Sequence, residues 1–215
     1  MKRPFRAAGA ALLLASCLTA VWAQAQDAAP SAPPPAPPPA AEPPATDIYL
    51  FGLQSRGGQP VLSPPRQVTD HAGYDNQPAF SPDGRTLYFT SFASGQTDIQ
   101  RYDLDRGQAE AVARTPESEY SPLPMPGGGL SVVRAEADGT QRLWRLSEGQ
   151  PPELLLPDVK PVGYHAWGDA STLVLFVLGE PPTLQVVDRH QGKPEVVAKD
   201  VGRCLRPVPN RRAVA

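Results

Sequence analysis

The sequence predicts an all-β fold, a β-propeller built from four-stranded blades. Short runs of alternating apolar residues end at Gly- and Pro-rich turns, which is typical of β-strands. No run has a helical period, and 28 prolines interrupt the chain too often for long helices. Similar segments return at the interval of about 40 to 45 residues that is typical of a propeller blade. We therefore expect residues 46–215 to hold about three full blades and two half-blades.

Residues 1–25 have the pattern of a secretory signal peptide. The basic start "MKRPFR" precedes an apolar run over residues 7–22, and Ala23-Gln24-Ala25 supplies a small-x-small cleavage sequence. The alternative is a membrane anchor, but the run is short of the roughly 20 apolar residues that a spanning helix needs. We therefore expect a periplasmic or secreted protein with no transmembrane helix in the mature chain.

A second processing route depends on Cys17. The segment Leu14-Ala15-Ser16-Cys17 resembles the lipoprotein box of bacteria, in which the cysteine is lipidated. The apolar run continues past Cys17, whereas lipoproteins usually become polar there. Soluble export and a lipid-anchored envelope protein both stay open.

Residues 26–45 form a Pro/Ala-rich linker. Nine of the 28 prolines lie between Pro30 and Pro44, and such a segment cannot bury enough apolar surface to fold. Its composition favours an extended polyproline II spacer, which we expect to be disordered. A docking peptide for a proline-binding partner is the alternative.

Charge and cysteine content exclude several classes of partner and site. Loss of residues 1–25 would change the formal net charge from −2 to −5, which argues against nucleic acid and anionic membrane surfaces. Only Cys17 and Cys204 are present, so no disulfide framework is available. We expect Cys204 to be a small buried hydrophobic residue.

Three repeats can be aligned, at residues 74–118, 119–160 and 161–202. In each, a proline or aromatic residue precedes a turn, an alternating apolar strand follows, and a third strand carries one aligned apolar residue. The residues before the turn are Phe80, Pro124 and Trp167. The aligned residues of the third strand are Ile99, Leu143 and Leu184, at intervals of 44 and 41 residues.

The first repeat has the clearest hairpin, "NQPAFSPDGRTLYFTS". Ser81 and Pro82 suit the first positions of a type I turn, and Gly84 suits the left-handed conformation that completes a bulged hairpin. Period-2 alternation places Leu87 and Phe89 on one face of the strand. We expect Phe80, Leu87 and Phe89 to face neighbouring blades, and Ser81 to Gly84 to be turn residues.

The two ends of residues 46–215 look like half-blades. "TDIYLFG" aligns with the third strand of a blade, and "PRQVTDHAG" resembles a fourth strand and exit loop. "LRPVPNRRAVA" resembles the start of a fourth repeat. The two half-blades either close a four-bladed ring or belong to a truncated copy of a longer propeller. Of these two, we expect the truncated copy, which is an incomplete propeller.

The repeats resemble those of the TolB-like β-propeller family. "QPAFSPDGRTLYFTS" followed by "TDIQRYDLDRG" is similar to the P-x-F-S-P-D-G core and D-I strand of that family. The resemblance implies a periplasmic propeller of six to eight blades and, by analogy, a role beside the Tol–Pal system. TolB has an α/β domain ahead of its propeller, where this chain has a proline-rich linker. The chain therefore looks TolB-like without being TolB itself.

Motifs of enzymatic chemistry are not found in the sequence. His71, His165 and His190 fit no metal-binding spacing, and there is no G-x-S-x-G nucleophile elbow. Asp98, Asp103 and Asp105 suit turn amides. We therefore expect no catalytic residue, cofactor or metal site.

Loops before the inner strands are the candidate ligand-binding residues. If they converge, they form an acidic, aromatic-rimmed mouth that could bind a cation or a peptide. The alternative is a structural role, with Trp167 packing between blades, His165 hydrogen-bonded and the rest solvated. The candidates are Asp75, Asn76, Glu119, Tyr120, Tyr164 and His165.

These observations predict a function in binding. We expect a monomeric, exported, non-enzymatic scaffold that binds a protein or peptide in the cell envelope. The first alternative is the propeller portion of an exported hydrolase whose catalytic domain is absent from this chain. The second is a truncated fragment with no function of its own.

Overall fold

The computed structural model describes residues 43–211 and 213–215, which form sixteen β-strands and no helix. Within these residues there is accordingly no helix with the length and apolar character needed to cross a membrane. The predicted signal peptide, Cys17 and most of the predicted linker lie outside the described residues.

Three four-stranded antiparallel sheets form the centre of the fold and confirm the three predicted blades. Each is a meander, in which consecutive strands pair. Blade 1 consists of β5 (Asp75–Phe80), β6 (Thr86–Ala93), β7 (Gln96–Asp103) and β8 (Gln108–Ala111). Blade 2 consists of β9 (Ser118–Pro124), β10 (Leu130–Ala135), β11 (Gln141–Leu146) and β12 (Glu153–Leu154). Blade 3 consists of β13 (Val162–Trp167), β14 (Thr172–Val177), β15 (Thr183–Asp188) and β16 (Pro194–Lys199).

Strand register confirms the alignment of the repeats. Ile99 lies opposite Thr90, Leu143 opposite Val133, and Leu184 opposite Phe176. Each of these partners lies in the second strand of its blade, three residues after the first apolar residue of that strand. The aligned apolar residues therefore occupy one structural position in all three blades.

Partial sheets precede and follow the three blades. β1 (Tyr49–Leu50) pairs with β4 (Arg66–Gln67), as expected for the third and fourth strands of a blade. Between them, β2 (Leu53–Arg56) and β3 (Gln59–Leu62) form a hairpin that we did not predict.

The last segment forms the predicted start of a fourth repeat. Pro207 bridges Val214 in antiparallel fashion. The N–H of Val208 donates to the carbonyl of Ala213 at 2.9 Å, as the N–H of Ser81 does to that of Thr86 at 2.8 Å in blade 1.

The apolar core of the described residues consists of four clusters. Three lie between successive sheets, and the fourth lies between blade 3 and the segment that follows it. Leu87 and Phe89 pack with Ile48 of the first partial sheet, whereas Tyr88 packs on the opposite face against blade 2. This confirms the predicted alternation. The prediction for Phe80 is wrong, because 51% of this residue is exposed at the end of β5.

The turn after β5 has the predicted chemistry. Gly84 has a φ of 70°, in the left-handed region that suits glycine. The Ser81 hydroxyl donates to the Asp83 carboxylate at 2.5 Å and accepts the N–H of Thr86 at 2.9 Å. Ser81 and Asp83 are therefore turn residues.

Candidate functional site

A pocket of about 290 Å³ lies where four successive inner segments come together. Blades 1, 2 and 3 contribute their innermost strands β5, β9 and β13, and the chain after blade 3 contributes the fourth side. The lining residues are Tyr74, Asn76, Gln77, Pro78, Ser121, Pro122, Leu123, Tyr164, His165, Arg203, Cys204, Leu205 and Arg206.

β-Bulges shape the inner strands at the pocket. The pairing register shifts within β5, β9 and β13, and a bulge redirects the side chains next to it. Gln77 and Ser121 have left-handed φ values of 56° and 52° at these bulges. The side-chain amide oxygen Oε1 of Gln77 accepts the N–H of Ser121 at 2.8 Å and the Thr90 hydroxyl at 2.9 Å. These bonds join the inner strands of blades 1 and 2 beside the pocket.

Only some of the predicted site residues meet at this pocket. Asn76, Tyr164 and His165 line it, whereas Asp75, Glu119 and Tyr120 do not. No described lining residue carries a carboxylate, so the acidic character expected of the mouth is wrong. Whether the three lining residues bind a ligand stays a prediction.

Asp75 is buried at the start of β5 and pairs with His71. The Asp75 carboxylate lies 3.0 Å from Nε2 of His71, and the Ser91 hydroxyl lies 3.4 Å from the same nitrogen. In a Ser-His-Asp triad the serine and the carboxylate contact opposite nitrogens of the imidazole. The trio of Ser91, His71 and Asp75 therefore lacks triad geometry.

Glu119 is fully buried between blades 1 and 2. One carboxylate oxygen lies 3.1 Å from the Arg134 guanidinium and accepts the Thr115 hydroxyl. The other oxygen has no hydrogen-bond partner among the described residues. Burial raises the pKa of Glu119, although Thr115 and Arg134 act in the opposite direction. Arg134 also lies 4.6 Å from the centre of the Trp144 ring. The group is an internal ion pair stacked on an aromatic residue.

His165 and Trp167 bind blade 3 to blade 2 through Ser131. The Ser131 hydroxyl lies 2.7 Å from Nε2 of His165 and accepts the indole N–H of Trp167 at 2.9 Å. Burial lowers the pKa of His165 to about 3, so its imidazole is neutral. Trp167 thus packs between blades and His165 is hydrogen-bonded, as the structural alternative expects, while a ligand contact of His165 stays a prediction.

Ten of the thirteen lining residues were missed in the sequence, among them Tyr74, Arg203, Cys204 and Arg206. Tyr74 precedes β5, and its pKa is raised by burial and, to a smaller extent, by Tyr164. Arg203, Cys204 and Arg206 lie in the segment that begins the fourth repeat. Cys204 is exposed, so its predicted burial is wrong. Alignment of "RCL" with "NQP" would have placed Arg203 and Cys204 at the positions of Asn76 and Gln77, which line the pocket in blade 1.

Among residues 43–211 and 213–215, no cluster of three or more His, Cys, Asp or Glu side chains could hold a metal ion.

Relatives of known sequence match only short parts of the chain. No family model matches it. An uncharacterized protein of Agrobacterium fabrum is 34% identical over 73 residues, which are 34% of this chain and 25% of that protein. The Tol-Pal system protein TolB of Bordetella pertussis is 46% identical over 44 residues, 20% of this chain and 10% of TolB. The chain thus spans a quarter or less of the length of these relatives.

Solved structures share the fold over most of the chain. TolB from Acinetobacter baumannii superposes with a TM-score of 0.52 at 16% identity, covering 70% of this chain and 41% of TolB. A putative TolB from Agrobacterium tumefaciens gives a TM-score of 0.57 at 16% identity, covering 70% of this chain and 60% of that protein. The blades are TolB-like propeller repeats. The sequence match to Bordetella TolB covers 44 residues, about the length of one repeat.

A puromycin hydrolase is a third structure with this fold. It superposes with a TM-score of 0.54 at 15% identity, covering 74% of this chain and 30% of the hydrolase. At such identities the likeness concerns the fold alone, so the activity of the TolB-like chain must be argued from its own residues.

Proposed function

We propose that this protein is an exported, non-enzymatic propeller that binds a protein or peptide partner in the cell envelope. Its TolB-like repeats and the signal-peptide pattern of residues 1–25 support the envelope location. A partner related to the Tol–Pal system fits this location by analogy with the Bordetella relative. The binding site is the pocket formed by the inner strands.

The pocket's lining carries this proposal. Tyrosine and arginine side chains from separate segments face one opening, and these residue types are enriched in the energetically important parts of protein interfaces. A volume of about 290 Å³ holds one or two side chains of a partner. Asp75, Glu119 and His165, the predicted titratable candidates, contact His71, Arg134 and Ser131 inside the protein. A binding role therefore depends on the tyrosine and arginine side chains that line the pocket.

Photo-crosslinking from Cys204 tests the proposal. Cys204 is exposed and lines the pocket, so a benzophenone maleimide attached there, in a Cys17→Ser chain, reports what enters. We expect a discrete crosslinked species when the labelled protein is added to envelope extract of its own cells.

The matched control moves the label to the outermost strand of blade 3. A Val197→Cys, Cys204→Ser, Cys17→Ser chain carries the same reagent at a residue that is 49% exposed and outside the pocket. Identical products from both positions, or none from Cys204, would overturn the binding proposal.

The puromycin hydrolase fold supports a second candidate, the propeller portion of an exported hydrolase. The reading frame after residue 215 distinguishes the candidates. A domain with a G-x-S-x-G nucleophile elbow encoded there would support the hydrolase and contradict a non-enzymatic role, whereas further blades alone would support the binding protein.

A further inference from the structure

Two arginines give the pocket its charge. Arg203 and Arg206 are exposed, and the other residues of the lining are uncharged, because His165 is neutral. None of the ion pairs among the described residues includes either arginine. The pocket is therefore locally cationic in a chain whose formal net charge is −2.

The carboxylates of the inner strands β5 and β9 do not neutralise the two arginines. Asp75 belongs to the segment that lines the pocket, but its side chain is fully buried against His71. Glu119 lies two residues before Ser121, yet its side chain is buried against Arg134. Both inner strands thus direct their negative charge between the blades and leave the positive charge of Arg203 and Arg206 toward the pocket.

An apolar pocket adjoins the cationic one. It has a volume of about 380 Å³ and shares Pro78, Leu123 and Arg206 with the first pocket. Phe80, which is 51% exposed, and Trp167 contribute aromatic surface to it. Arg206 therefore lies between a polar, cationic compartment and an apolar one.

We infer that the two pockets together bind an extended acidic peptide, with a carboxylate at Arg203 and Arg206 and a neighbouring apolar side chain against Phe80. Guanidinium groups recognise carboxylates in paired hydrogen bonds, and uncompensated positive charge draws an anionic ligand to the pocket. This inference rests on the proposed function and specifies the ligand that the site selects.

Fluorescence anisotropy with four labelled hexapeptides tests the inference on the full chain. The first has glutamate followed by phenylalanine and an amidated C-terminus; the second has glutamine for the glutamate. The third has alanine for the phenylalanine. The fourth has glutamine and a free terminal carboxylate. We expect the first to bind at least about tenfold more tightly than the second, since a hydrogen bond to a charged group contributes about that factor.

Variants locate the effect. Arg203→Gln with Arg206→Gln should weaken the glutamate peptide at least about tenfold and abolish its advantage over glutamine. Arg56→Gln with Arg66→Gln removes the same charge from exposed strand positions outside both pockets and should leave binding unchanged. Equal effects of the two double variants would mean non-specific charge attraction and would overturn the inference.

The remaining arms identify the source of the carboxylate and the apolar contact. Tighter binding of the fourth peptide than the second supports a terminal carboxylate as the source, and weaker binding of the third supports the apolar compartment. Displacement by free glutamate as effective as by the first peptide would overturn a peptide site. If the Cys204 crosslink forms equally in the Arg203→Gln, Arg206→Gln protein, the ligand inference is wrong and the proposed function stands.

Discussion

The two interfaces between blades differ in what they bury, although one strand supplies both. The first interface joins blades 1 and 2, around Leu130 and Val132, and encloses the ion pair of Glu119 and Arg134. The second joins blades 2 and 3 and buries eleven apolar residues with the neutral Ser131–His165–Trp167 group. Alternation along β10 directs even-numbered residues to the first interface and odd-numbered residues to the second.

This difference separates what the repeat determines from what each blade adds. The repeat determines which positions face a neighbouring blade. The apolar residues at these positions stabilise the fold because their surface is removed from water. The charged pair of the first interface makes a different contribution, because desolvation offsets much of the attraction between buried charges. Removal of one charged partner should therefore lower the free energy of unfolding by more than the intact pair contributes to it.

Arg134→Met should give the largest loss of stability at neutral pH, about 3–5 kcal/mol in the free energy of unfolding. The variant leaves the Glu119 carboxylate buried without its cation. Urea denaturation measures the loss. Arg134→Met combined with Glu119→Gln should recover more than half of it, and a double variant as unstable as the single one would contradict the electrostatic explanation.

Leu175→Ala should destabilise the second interface by about 2–5 kcal/mol. Leu175 has no exposed surface and lies in the largest apolar cluster, so the surrounding side chains cannot collapse into the cavity. The same change at Leu62, which is 61% exposed, should alter stability by less than about 0.5 kcal/mol. Thermal and urea unfolding check both values; comparable losses would mean that this cluster does not stabilise the fold.

The second interface should also make stability depend on pH through His165. Burial lowers its pKa in the folded protein to about 3 from an ordinary value of 6.5. Between these values the unfolded chain binds the additional proton, so the free energy of unfolding falls as pH falls, by at most about 1.4 kcal/mol per unit. Burial of Glu119 raises its pKa and acts in the opposite direction.

His165→Gln isolates the histidine contribution, because its amide can keep a hydrogen bond to Ser131. Urea denaturation of both proteins between pH 7 and 5 should show a smaller fall in stability for the variant. The contribution of Glu119 cancels in the difference between the two proteins. Parallel pH profiles would exclude His165 as the source of the acid sensitivity.

Much of the fold follows from local chemistry in the sequence. Ile99, Leu143 and Leu184 mark equivalent positions because blade geometry fixes the spacing of buried side chains. The hairpin of β2 and β3 was missed, although Gly57 and Gly58 adopt the positive φ values of 58° and 79° that its tight turn requires. A Gly-Gly pair between strand-like runs was a sufficient signal for this hairpin.

The site is less predictable, because side-chain direction at the start of an inner strand depends on the bulge and on the neighbouring blade. Asp75 and Glu119 look like exposed loop residues in sequence, but β5 begins at Asp75 and β9 includes Glu119, and both side chains are buried. Arg203 and Arg206 lie in a repeat without the aromatic-turn motif. Their convergence with Tyr164 requires the three-dimensional arrangement of blades.

Thr90→Val should have the smallest effect, about 0.5–1.5 kcal/mol at the first interface. Thr90 donates to Gln77 at 2.9 Å and accepts the N–H of Ser121 at 3.2 Å, but that N–H also donates to Gln77. The loss of the hydroxyl therefore leaves the Ser121 N–H and the Gln77 oxygen bonded to each other.

Ser131→Ala is the matched hydroxyl deletion at the second interface, and its cost should be greater. It removes the shared partner of His165 and Trp167, both buried, and an unsatisfied buried polar group costs about 1–3 kcal/mol. Urea denaturation of both variants measures the difference. Equal losses of stability in the two variants would mean that redundant hydrogen bonds do not distinguish the two interfaces. The interfaces would then differ only in their charged and apolar residues.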